Sequence, residues 1–236
     1  HGLAQLAHVA GIGADLVLEA HGLSFHANRL HQFYNSQNID AVIDVGSHKG
    51  EFITKVIRNK DLPIYSFEPQ QSVRKTLLFN TESFNVIEYF NFAASDLSGE
   101  MEFFVNKLTS TSSLILPNHN GIWTRFKKMI LGGKLVVGIE KTKVYTLDEI
   151  LGSGALDGYN NILLKIDTEG FESRVLQGAK KIIQGNQIHL IQVESMNHML
   201  FSKNPLNSSN KILESLGFKL KKKFLFPPLN FFDVVY

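Results

Sequence analysis

From Ala41 onward, short β-branched runs alternate with segments of helical period, and that alternation implies βαβ units wound about a mainly parallel sheet. Strands are expected at 41–45, 63–67, 86–93, 162–166 and 188–193, with helical segments near 51–59, 70–81, 172–177 and 206–216. The closing runs at 218–225 and 231–236 have the pattern of an antiparallel edge hairpin. A further hairpin, 101–105 with 136–145, flanks an insertion at about 106–140. Pro117, Asn118, Asn120, Gly121, Gly132 and Gly133 break regular structure within that insertion, and its length suggests a functional role. Ahead of this body, residues 1–38 form a helical segment. Apolar residues recur there at helix spacing from Leu3 to Tyr34, and Gly11 and Gly13 divide them into two short helices.

Composition narrows the function classes. At about 150 residues per domain, 236 residues hold one large domain, 39–236, with the helical segment in front. A 44% hydrophobic and 19% charged chain buries a core and is no disordered polymer. With 24 basic against 22 acidic residues the net charge is only +2, so a nucleic-acid partner is not expected. No Cys occurs, which excludes disulfides, cysteine-ligated zinc, iron–sulfur clusters and thiol nucleophiles; a reducing, cytoplasmic setting is the expectation. Apolar stretches are broken by charge or Gly before the roughly 18 residues needed to cross a bilayer, so no transmembrane segment is expected. His1-Gly2-Leu3 has neither Met nor a basic region before an apolar core, and is expected to be a cut edge rather than a signal peptide.

Four strand ends carry chemistry. The first runs Asp44-Val45-Gly46-Ser47-His48-Lys49-Gly50 into a helix; the glycines allow tight dihedrals and close approach, and the loop amides face the crevice at the strand's carboxyl end. This is not the G-x-G-x-x-G dinucleotide fingerprint. The second ends in Phe67-Glu68-Pro69, and an acidic residue about 20 positions past a glycine turn is placed to accept from ribose hydroxyls. The third ends in Ala94-Ser95-Asp96, a candidate adenine edge that also has ordinary turn chemistry. The fourth gives Lys165-Ile166-Asp167-Thr168-Glu169-Gly170-Phe171-Glu172. On a strand of period two, Lys165, Asp167 and Glu169 share one face, and three ionisable groups beside a central strand must pair or bind something polar. A Lys165–Asp167 salt bridge is the structural alternative.

Taken in order with Thr146-Leu147-Asp148-Glu149 and Val175-Leu176-Gln177-Gly178-Ala179, these motifs over residues 40–195 resemble the FkbM family of S-adenosylmethionine-dependent methyltransferases. The resemblance implies a Rossmann-like class I methyltransferase fold: a seven-stranded, mostly parallel α/β sheet of order 3-2-1-4-5-7-6 with helices on both faces. It implies S-adenosylmethionine as cofactor, with Asp44, Gly46, Ser47, His48 and Gly50 around its methionine part, Glu68 on the ribose, Ala94, Ser95 and Asp96 at the adenine, and Asp167 beside the transferred methyl. The family's acceptors imply O-methylation of a hydroxyl on a sugar, glycan or other small molecule.

A proton acceptor for such a hydroxyl is sought among Asp167, Glu169, Glu194 and His198, with Lys165 as a further catalytic candidate. Asp167 and Glu194 are also candidate oxygen ligands for Mg2+. In the insertion, Trp123, Arg125, Lys127 and Lys128 suit a lid over an anionic or glycosylated acceptor. Two alternatives stand beside the enzyme reading: an RNA-directed methyltransferase that uses the basic aromatic insertion, and a membrane-surface interaction protein with a vestigial cofactor site that uses the insertion together with Lys219 to Lys223 and Phe224-Leu225-Phe226.

Overall fold

The computed structural model describes residues 14–107, 109–115, 136–185, 187–196, 205–226 and 231–236. Helix α1 (Ala14–Asn35) is the second of the two expected helices; the first lies outside the described residues. The strands of the main sheet are β1 (Ala41–Val45), β2 (Ile64–Phe67), β3 (Val86–Phe90), β7 (Ile162–Ile166), β8 (Ile188–Met196), β9 (Lys222–Phe226) and β10 (Phe231–Val235), joined in the order β3-β2-β1-β7-β8-β10-β9. Counted within this sheet alone, that is 3-2-1-4-5-7-6. The first five lie parallel, and β10 is antiparallel to β8 and β9 on either side.

A second sheet sits beside the first: β4 (Ala93–Ala94), β5 (Gly99–Asn106) and β6 (Val136–Tyr145), in the order β4-β6-β5. The single strand expected over 86–93 is therefore divided. Phe90 stacks on Phe67 with centroids 4.3 Å apart, Phe92 turns its edge to Tyr145 at 4.7 Å, and Ala93 leaves the main sheet to pair with Val144. The helix expected at 51–59 is a π-helical turn, Phe52–Val56. The remaining helices are α2 (Gln71–Asn80), α3 (Leu147–Leu151), α4 (Glu172–Gln177), α5 (Lys180–Gln184) and α6 (Pro205–Ser215). No described helix is long and apolar enough to cross a membrane.

The period-two alternation of the central strands builds two cores. Ala41, Ile43, Val45, Ile162, Leu164 and Ile166 face one side, where Val175, Leu176, Ile182 and Leu213 of the covering helices and Val144 of the second sheet meet them. Val42, Leu163 and Leu190 face the other side, against Leu30 and Tyr34 of α1 and Phe52, Ile53 and Val56 of the π-turn. Toward the carboxyl ends this second face turns polar: Val42 gives way to Asp44, Leu163 to Lys165 and Leu190 to Gln192, with Asp44 beside Lys165 and Lys165 beside Gln192 across the strands. The site lies where that face opens.

Candidate functional site

A cavity of about 540 Å³ lies at the carboxyl ends of β1, β2, β7 and β8, the crevice where open α/β sheets receive ligands. The β1 loop shapes one wall. Gly46 has φ +80°, and a Cβ there would lie 1.9 Å from the Asp167 carbonyl oxygen, so both conformation and space require glycine. Ser47 Oγ donates to the Asp44 carbonyl at 3.0 Å and accepts from Ser66 Oγ at 2.8 Å. His48, itself at φ +49°, donates its backbone N–H to Glu68 Oε2 at 2.7 Å, and the Gln70 N–H reaches Glu68 Oε1 at 2.7 Å. Both oxygens of Glu68 are thus fixed by amides with lone pairs to spare. Burial holds its carboxyl above the usual range, opposed by those two amides, His48 and Lys165.

The loop is tied across the cavity. His48 Nδ1 lies 3.2 Å from Glu51 Oε1 and its Nε2 lies 2.9 Å from Thr109 Oγ1. Burial opposes ionisation of Glu51, but His48 and the backbone amides of Glu51 and Lys49 bring its carboxyl down to about 2. Ser113 Oγ reaches the carbonyls of Thr168 and Glu169, each at 3.1 Å. The segment from Thr109 to Leu114, where the insertion begins, therefore spans the loops after β1 and β7.

Within β7, the buried Lys165 ammonium makes a three-way contact: Asp44 Oδ1 at 3.0 Å, the Gly46 carbonyl at 2.7 Å and Asp167 Oδ2 at 3.5 Å. Burial favours the neutral amine, yet Asp44 and Asp167 hold it charged, well above the usual lysine range. Lys165 is therefore no proton acceptor. The salt bridge expected to Asp167 exists but is the longer of two; Asp44, its neighbour across the sheet, is the closer partner.

The turn after β7 projects carboxylates into the cavity. Glu169 adopts φ +54° and Gly170 φ +101°. The buried Glu172 secures this turn from beneath, accepting at Oε1 from the amides of Thr168 (3.1 Å) and Gly170 (2.9 Å) and from Thr168 Oγ1 (3.2 Å). Asp167, Glu169 and Glu194 each then bring a carboxylate oxygen to one spot, all within 4.8 Å of one another. Glu194 is driven well above the ordinary carboxylate range, first by burial, then by the charges of Asp167, Glu169 and Asp233 and a hydrogen bond with Asp167. The cavity thus has an end lined by Asp167, Glu169 and Glu194 and another walled by Glu68.

The model of the methyltransferase FkbM domain matches residues 44–220. The chain belongs to the FkbM methyltransferase family. Among solved structures, this FkbM chain is similar to the magnesium protoporphyrin IX methyltransferase of Synechocystis PCC 6803 (8% identity, 91% of this chain and 77% of that one, TM-score 0.47). It is likewise similar to a SAM-dependent methyltransferase of Leishmania major (10% identity, 99% and 78%, TM-score 0.46) and to the ribosomal protein L11 methylase of Lactobacillus delbrueckii (9% identity, 91% and 75%, TM-score 0.42). None of the curated proteins matches it.

In the FkbM chain, Gly46, Ser47, His48, Glu68, Ala94, Lys165, Asp167, Glu169 and Glu194 come together on the cavity lining. Four of the expected cofactor residues lie off that lining. Asp44 is fully buried behind it on Lys165. Gly50 packs under Thr81, where a Cβ would meet Thr81 Cγ2 at 2.6 Å. Ser95 is pinned by Gly178, whose Cβ would sit 1.9 Å from the Ser95 carbonyl, and Asp96 faces Arg174 at 3.4 Å. His198, Trp123, Arg125, Lys127 and Lys128 lie outside the described residues. The Thr146 motif is architectural: Thr146 Oγ1 caps α3 through the Glu149 amide at 3.0 Å, and Asp148 receives the amides of Lys181 and Ile182 at the start of α5.

Sequence reasoning missed His26, Gln192 and Asp233, which also line the cavity. They form one buried chain, with His26 Nε2 2.6 Å from Asp233 Oδ2, Gln192 Nε2 donating to Asp233 Oδ1 at 2.8 Å, and Tyr34 OH donating to Gln192 Oε1 at 2.7 Å. The available signal was Asp233, a lone charge in the apolar run Phe231-Phe232-Asp233-Val234-Val235.

Proposed function

We propose that this FkbM-family methyltransferase takes its methyl group from S-adenosylmethionine and places it on a hydroxyl of a sugar, glycan or other small polyol. The observation that carries the reading is the pairing, in one cavity, of the amide-fixed Glu68 with the carboxylate cluster of Asp167, Glu169 and Glu194. The residues fit the cofactor. Glu68 presents spare lone pairs to two ribose hydroxyls, and the small Ala93 and Ala94 with Phe92 form an apolar wall suited to adenine.

When bound, the cofactor supplies an electrophilic methyl on a sulfonium. In the transfer it would supply, the acceptor oxygen would bond to the methyl carbon as the carbon–sulfur bond breaks, the electron pair staying on sulfur. The hydroxyl proton then goes to a carboxylate of this chain. Glu194 is our assignment, because burial and three acidic neighbours make its carboxylate more basic than an exposed one. Asp167 and Glu169 accept from neighbouring hydroxyls and so orient the acceptor. An anionic acceptor would meet repulsion at this end, and a polyol would not.

All-oxygen donors also suit a hard divalent ion, and Asp167, Glu169 and Glu194 would hold Mg2+ if one binds. Lys165, 3.5 Å from Asp167, already supplies part of the charge compensation such an ion would bring. The test is calorimetric titration with S-adenosylhomocysteine, followed by transfer of labelled methyl to a panel of sugars and phenols, each with Mg2+ and with EDTA. Cofactor binding with transfer to hydroxyl acceptors is expected in both conditions. Loss of transfer in EDTA would assign the cluster to the ion, and absence of cofactor binding would overturn the reading.

A further inference from the structure

One basic, apolar surface takes no part in the cavity chemistry. Residues 217–226 contain four lysines, Lys219, Lys221, Lys222 and Lys223, and no carboxylate; residues 20–35 of α1, against which β9 packs, contain none either. β9 is the edge of the main sheet. Arg29 Nη1 donates to the Leu225 carbonyl at 3.1 Å, and its guanidinium lies over the rings of Phe25 and Phe224. Lys222 lies over Phe33 and Phe224, and Lys223 sits 3.4 Å from the centroid of Phe232 on the opposite face. Lys221 donates to Gln37 Oε1 and Lys60 to the Gln37 carbonyl, which brings a further cation to the same rim.

Between these cations large apolar groups stand in solvent: Phe25 is 63% exposed, Leu220 61% and Leu225 47%. Salt-bridged solvent faces do not look like this. Lysine stems along rings with aliphatic groups beside them are the composition of an interfacial surface, where the ammonium groups meet lipid phosphates and the apolar groups enter the headgroup boundary. Of the exposed apolar groups only Phe25 offers a ring, and the Arg29 guanidinium already lies over it, so no row of free rings on which successive bases would stack is present among these residues, which disfavours single-stranded nucleic acid.

We propose that the surface formed by α1 and β9 docks on an anionic membrane through Lys219, Lys221, Lys222 and Arg29, with Phe25 and Leu220 entering the headgroup layer. The proposal does not depend on the reaction assigned to the cavity. Docking in this way would bring the cavity to the lipid surface, since His26, next to Phe25, lines it, and β9 runs level with Glu194 through Asp233.

The test is flotation of the whole chain with phosphatidylcholine vesicles, with and without phosphatidylglycerol. Wild type floats only with the anionic vesicles, and salt weakens the binding. Lys219→Glu/Lys221→Glu, both exposed, reduces partitioning at least about 30-fold, since loss of each lysine costs roughly 1 kcal/mol at an anionic surface and each new carboxylate adds repulsion. Leu220→Ser weakens binding by a part that salt does not change. Unchanged thermal unfolding and S-adenosylhomocysteine binding in these variants confines the effect to the surface. Flotation with neither vesicle, equal flotation with both, insensitivity to the charge reversal, or binding of single-stranded RNA in place of vesicles would each overturn the proposal.

Discussion

Glu68 and Glu194 are glutamates of one cavity, both held above the ordinary carboxylate range by burial, yet their neighbours act on them in opposite directions. Glu68 receives two backbone amides, with His48 and Lys165 nearby, and these favour its charged form. Glu194 has Asp167, Glu169 and Asp233 around it, and these oppose its charge. A carboxylate surrounded by donors binds hydroxyl groups without taking their protons. One surrounded by carboxylates is disposed to take a proton. On this contrast rests the proposed division of the pocket into a binding end and a reacting end.

The most severe break of that contrast is Glu194→Gln. It keeps shape and hydrogen-bonding capacity but removes the proton acceptor, so kcat for hydroxyl acceptors falls about 10²- to 10⁴-fold while affinity for S-adenosylhomocysteine stays within twofold or so. Stopped assays with labelled cofactor beside a binding titration read both numbers. A kcat within a few-fold of wild type would remove Glu194 from the chemistry.

Next comes the ion that stands between the two ends. Lys165 contacts Asp44, Asp167 and the Gly46 carbonyl at once. Lys165→Met leaves Asp44 buried without its cation and is expected to cost about 3 to 5 kcal/mol of unfolding free energy, measured in urea. Adding Asp44→Asn recovers a large part of it. If the single variant loses less than about 1 kcal/mol, the pair does not hold the two loops together.

Glu68→Gln sharpens the binding end. It removes the charge but leaves an amide that accepts at only one atom, so affinity for S-adenosylhomocysteine falls about 10- to 100-fold, the usual range for losing a charged hydrogen-bond partner. Equal affinity would place the ribose elsewhere.

Legibility of these two ends in the sequence differed for a physical reason. Glu68 and the glycine loop could be placed from one-dimensional spacing, because strand, turn and strand follow in order with short connections. The sheet order came through the family resemblance alone, since apolar runs mark β1, β2, β7 and β8 as strands without saying which strand each one neighbours. What depended on register could not be read. Asp44 looked like a ligand of the cofactor, but cross-strand alignment with Lys165 makes it a buried partner. Asp96 and Ser95 fit the expected third strand end, yet departure of the chain into a second sheet at Ala93 turns them toward Arg174 and Gly178. Asp233 and His26 are 207 positions apart and meet only through tertiary packing.

The smallest effect is the stability difference between the two glutamates as pH changes. A carboxyl raised in the folded state binds its proton more tightly there than in the unfolded chain. Its contribution is therefore present below the ordinary carboxylate pKa and is lost as pH rises through the raised value. For Glu194, raised well above that range, the window runs upward from the ordinary carboxylate pKa, and each tenfold gain in proton affinity on folding corresponds to about 1.4 kcal/mol. Wild type should thus lose stability across this window, and Glu194→Gln, which carries no charge to desolvate, should flatten the curve and exceed wild type at its alkaline end. Glu68→Gln, also raised but supported by two amides, should flatten it less. Urea unfolding at stepped pH gives the three slopes. Equal slopes for the two variants would mean that the acidic neighbours of Glu194 do not distinguish it from Glu68, and the division into a binding and a reacting end would then have to rest on Asp167 and Glu169 alone.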